Sequence, residues 1–149
     1  MHTILANRLL MITYIKGDLF QVKSGVLGHA CNYQGVWGGG IALLFKQKFP
    51  EAYRHYQQIC KEQGENLVGR CILISENQYQ IACLFTNDYS TKKQILKHTE
   101  DSLLDLKRQI PPHTVVNLPK INAGIFNVEW ELTEKVLERV DEDYNVYEL

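Results

Sequence analysis

The segment from Gly28 to Ala42 concentrates the residue types best suited to chemistry in this chain: Gly-His-Ala-Cys-Asn-Tyr-Gln-Gly-Val-Trp-Gly-Gly-Gly-Ile-Ala. It passes from an apolar strand through a polar turn into three glycines, Gly38, Gly39 and Gly40, that open a helix. A glycine in a helix costs about 1 kcal/mol relative to Ala, so something must offset the run. Close approach of a ligand to bare main chain is one such reason, because free N–H groups at a helix start suit a pyrophosphate. A tight strand-to-helix turn needed for packing alone is the other. The spacing fits neither common nucleotide fingerprint: there is no Gly-x-x-x-x-Gly-Lys-Ser/Thr, and the triplet is not Gly-x-Gly-x-x-Gly.

A second loop, Pro119 to Trp130, also leads from an apolar run into a helical pattern. Asn122, Ala123 and Gly124 are small enough to expose consecutive N–H groups to phosphate oxygens. Phe126 offers a flat face to a sugar or base, or else belongs to the core. Asp18 follows the first predicted strand, where its carboxylate accepts either from an exocyclic amine such as that of adenine or from its own turn.

For proton transfer the leading candidate is His29, since an imidazole exchanges protons near neutral pH; a hydrogen-bonded structural His is the alternative inside an apolar strand. Asn32 orients ribose hydroxyls or a water through its amide, or simply makes a turn. Asp88 is held in reserve as a base, with turn capping the competing role. Cys31 has no cationic neighbour in sequence and reads as packing, while Tyr33 and Trp37 either shape the rim of a site or simply cover the fold.

Positioning these loops requires strands that end beside one another. Short β-branched runs predict strands at 11–16, 26–31, 71–74, 79–85, 115–118 and 146–147. Helical spacing predicts a helix from Gly40 with Ile41, Leu44 and Phe45, and a second begun by Pro50 and ended by Gly64. Two more span Ile95 to Leu106 and Glu129 to Val140. Strands and helices that alternate in this way argue for an α/β fold, a largely parallel or mixed sheet with helices on both faces. Ligands of such sheets sit at the strand carboxyl ends.

At 149 residues the chain has the length of a single domain spanning 1–149, with 1–10 as an N-terminal extension or an added strand. Sixteen Lys and Arg against seventeen Asp and Glu give a formal charge of -1, too balanced to attract a polynucleotide. The four cysteines form no C-x-x-C pair, the five histidines suggest no metal cluster, and no apolar run is long enough to span a membrane. These features imply a cytoplasmic protein, with the nucleus as a second compartment, that takes a small-molecule ligand as a monomer and needs neither metal nor cofactor.

The segments His29 to Ala42 and Ile121 to Phe126, together with Trp130, resemble the macrodomain family, and within it the yeast-type ADP-ribose 1″-phosphate phosphatase branch. The likeness runs from Ile12 to Leu149. It implies a three-layer α/β/α fold with a mixed, mostly parallel sheet, and hydrolysis of ADP-ribose 1″-phosphate to ADP-ribose and phosphate. By the resemblance, Asp18 and Leu19 lie beside adenine, Asn32 beside the distal ribose, Gly38 to Ile41 form the first phosphate loop, and Asn122, Ala123, Gly124, Ile125 and Phe126 the second. In the related branch that deacylates glutamate, a Lys and an Asp stand where this chain has Asn87 and Phe126, and the mono-ADP-ribosyl hydrolases carry an acidic residue where it has Ala42. A hydrolase of ADP-ribosyl esters or of O-acetyl-ADP-ribose, and a non-catalytic ADP-ribose reader, remain alternatives.

Overall fold

A computed structural model describes residues 12–149. The extension expected at 1–10, and Met11 as the start of the first strand, lie outside the described residues. The chain runs β1 (Ile12–Lys16), β2 (Gly25–Asn32), α1 (Gly40–Lys48), α2 (Pro50–Gln63), β3 (Cys71–Glu76), β4 (Tyr79–Asn87), α3 (Lys92–Gln109), β5 (Val115–Leu118), α4 (Trp130–Arg139) and β6 (Asp143–Glu148). Pro50 occupies the first turn of α2, Gly64 closes it with φ +53°, and Thr91 with Gln94 forms a capping box on α3.

Six strands form one sheet in the order β1-β6-β5-β2-β4-β3. Only β3 runs antiparallel to its neighbour; the other pairings are parallel. The period-2 alternation of β2 divides the core. Val26 packs with Ala82, Leu103, Leu106, Val116 and Val136 on the face covered by α3 and α4. Leu27 and Cys31 pack with Phe45, Ala52, Tyr56 and Cys83 on the face covered by α1 and α2. The result is a three-layer α/β/α arrangement, each fully buried Leu, Val or Phe contributing about 1.5–3 kcal/mol. Gly28 fits between layers because a Cβ there would come within 2.9 Å of Leu118 Cδ2 and 3.3 Å of Ala82 Cβ.

At the sheet edge, the Trp130 indole Nε1 donates to the Tyr14 hydroxyl at 2.8 Å, and that hydroxyl donates in turn to Glu134. Burial and the Glu134 carboxylate push the Tyr14 phenol up to about 12. This relay fixes the start of α4 against β1. Since β1, β2, β4 and β5 all run the same way, the loops that follow them gather on one edge of the molecule.

Candidate ligand site at the carboxyl edge of the sheet

The β2–α1 and β5–α4 loops face one another across a cavity of about 370 Å³. Gly38, Gly39, Gly40 and Ile41 line it from the first loop; Asn122, Gly124, Ile125 and Phe126 line it from the second. The two loops approach closely, since a Cβ on Gly39 would lie 3.0 Å from Ile125 Cδ1, and the first loop is itself tight, since one on Gly38 would lie 3.1 Å from Val36 Cγ1. Gly40 has φ +57°, a left-handed conformation that only glycine adopts without cost.

The main-chain donors are left unused. Among the described residues, the amides of residues 38–41 and 124–126 donate to no protein acceptor, and α1 has no side-chain cap at Gly39. The macrodipole of α1 adds partial positive charge at its N-terminal end, so the lining offers the donor chemistry that suits an anion without an excess of basic side chains.

Side chains hold both loops in shape. Asn32 Oδ1 accepts from Gln34 N at 2.9 Å and from the Tyr56 hydroxyl at 3.0 Å, while its Nδ2 donates to Val36 O at 3.1 Å. The Tyr56 hydroxyl also reaches Asn32 O at 2.6 Å. Asn32 is thus a loop-fixing residue that lines the cavity, with one amide hydrogen to spare for a ligand. Asn122 is 4% exposed and turns its side chain away from solvent into the protein.

The sequence profile of the Macro domain matches residues 29–137. The chain belongs to the macrodomain family. A relative from Lodderomyces elongisporus, an ADP-ribose 1″-phosphate phosphatase, is 46% identical over 156 residues, covering 91% of this chain and 97% of the relative. Among solved structures, the macrodomain of Mycobacterium tuberculosis DarG superposes with a TM-score of 0.74 at 28% identity, covering 93% of this chain and 98% of that one. Thermosipho africanus DarTG in complex with ADP-ribose shares the fold at a TM-score of 0.69 and 22% identity, over 91% of this chain and 41% of that one.

In this macrodomain the residues singled out by the sequence divide between the cavity lining and its surroundings. His29 does not line the cavity. It points to the α1/α2 face, is 0% exposed, stacks on Phe45 at 4.1 Å and meets the edge of Trp37 at 4.6 Å. Burial lowers its imidazole to about 3, which favours the neutral ring, and its contacts here are those of a packing residue. Its ring nitrogens meet only the Cys31 thiol, at 3.7 and 3.8 Å.

Asp18 and Leu19 lie at the end of β1, outside the cavity lining: Asp18 accepts from Phe20 N at 2.9 Å as a cap, and Leu19 is 3% exposed in the core. Ala123 is exposed, lines no part of the cavity, and its N–H turns back to Lys120 O at 3.4 Å. Trp37, buried beneath the first loop, is part of the cavity lining, and Tyr33 faces Tyr89 edge-on at 6.4 Å. Asp88 caps its own turn: burial disfavours its carboxylate, but hydrogen bonds from Ser90 and the His98 ring at 3.1 Å outweigh that and hold it below its ordinary value.

Sequence reasoning missed Lys120, the only charged residue in the lining among the described residues, whose Nζ lies 2.7 Å from Glu148 Oε2. A cation between Pro119 and the small residues of the second loop was the available signal. Val36 was also missed; 53% exposed, it is part of the cavity lining.

Proposed function

We propose that this macrodomain binds ADP-ribose and hydrolyses ADP-ribose 1″-phosphate to ADP-ribose and inorganic phosphate. The observation that carries the reading is the convergence of unpaired main-chain amides from residues 38–41 and 124–126 on one cavity. A diphosphate needs that many donors, and neutral amides supply them without the desolvation cost of buried cations. The half-buried Phe126 lies against the distal ribose, and the free Asn32 amide hydrogen meets a ribose hydroxyl or the attacking water. The near-half identity to a phosphatase that acts on this compound supports the same choice.

Water attacks phosphorus, the bond from phosphorus to the anomeric oxygen breaks, one water proton passes to the departing sugar oxygen to give ADP-ribose, and the other stays on the phosphate. No Asp, Glu or His lines the cavity among the described residues. Catalysis of this kind therefore draws on positioning and on charge stabilisation by amides and Lys120, which a loose phosphoryl-transfer transition state chiefly requires. That same lack of a lining acid or base favours the second reading, a reader that binds ADP-ribose without turnover. Purified protein that releases phosphate from ADP-ribose 1″-phosphate establishes the first; binding with no turnover on that compound, on O-acetyl-ADP-ribose or on ADP-ribosyl esters establishes the second.

A further inference from the structure

We infer that Asn122 is a positioning residue whose side chain, held by three buried threonines, sets the second loop so that the amides of residues 124–126 face the anion. The inference rests on ADP-ribose binding at this cavity. Thr86 at the end of β4 donates to Asn122 Oδ1 at 2.8 Å. Asn122 Nδ2 donates to Thr99 Oγ1 in α3 at 3.0 Å and to Thr133 Oγ1 in α4 at 3.5 Å. All three threonines are 0% exposed. The Thr99 hydroxyl spends its proton on Ile95 O at 2.7 Å, which leaves its lone pairs for Asn122.

One side chain thus ties the loop to a strand and two helices. Asn122 has φ +67°, and Val128 N returns to its carbonyl at 2.8 Å, closing the 122–128 turn. Tolerance of a left-handed backbone accounts for an Asn here, but glycine would satisfy that as well. The three partners are what glycine cannot supply. A buried polar network with every member satisfied holds one geometry, and donors fixed before binding lose little freedom when the anion arrives.

Asn122→Gly separates the two roles, since it keeps the backbone conformation and removes the anchor. Calorimetry with ADP-ribose should show affinity weakened about tenfold, and amide hydrogen exchange should speed at Asn127 and Val128, whose N–H groups close the turn, while the interiors of β4 and α3 stay protected. Thr99→Val should act in the same direction, and Thr99→Ser should restore wild-type affinity. Binding by Asn122→Gly within twofold of wild type overturns the inference, as does exchange that accelerates evenly across the protein. Failure of the wild type to bind ADP-ribose defeats the proposed function instead, and exchange in the free protein then decides the positioning role by itself.

Discussion

Gly40 and Lys120 show how single residues carry the site. At φ +57° a Gly40→Ala change imposes about 1–2 kcal/mol of backbone strain at the point where the main chain must face the ligand. Its expected outcome is a tenfold or greater loss of ADP-ribose affinity by calorimetry, about 1.4 kcal/mol, with the fold retained. Lys120 is the cation of the lining, so Lys120→Met should reduce affinity several-fold at low salt and flatten the dependence of binding on ionic strength. Equal salt dependence in both proteins would remove Lys120 from the site. The glycine run and the Asn-Ala-Gly-Ile-Phe loop were legible in the sequence because small residues announce exposed main chain. The burial of His29 was not legible, because it depends on which face of β2 the two helices α1 and α2 cover. The threonine cage around Asn122 was not legible either, as its members come from 86, 99 and 133, far apart in sequence.

The elements were legible where local signals were strong. Pro50 and Gly64 bracket α2 as its sequence implies, and the apolar stripe of α4 buries Val136 and Leu137. At the C-terminus the spacing predicted a strand at 146–147, but β6 covers Asp143–Glu148, because Tyr144 and Val146 point inward between polar neighbours that mask the alternation. The relay from Trp130 through Tyr14 to Glu134 joins residues more than a hundred positions apart, which no local pattern reports. Removing its centre tests its worth. Tyr14→Phe leaves the Trp130 N–H without its acceptor, and urea unfolding should show a loss of about 1–2 kcal/mol. An unchanged midpoint would mean that α4 is held by packing alone.

For the molecule as a whole, His29 couples the first loop to pH through stability. Its folded-state value of about 3 lies below the ordinary 6.5 because burial penalises the charged ring. As pH falls below 6.5 the unfolded chain takes up a proton that the native protein refuses, so stability held above 6.5 is lost progressively toward pH 3, at up to about 1.4 kcal/mol per pH unit. Thermal melts from pH 6.5 to 5, above the range of most carboxylates, should show this decline, and His29→Leu should flatten it; parallel slopes would contradict the account. The central claim is that bare amides from two facing loops grip a diphosphate, and a ¹H–¹⁵N titration with ADP-ribose tests it most directly. The largest shifts should fall on the amides of residues 38–41 and 124–126, moving together to one saturation point. Shifts concentrated elsewhere, with these amides unmoved, would contradict it.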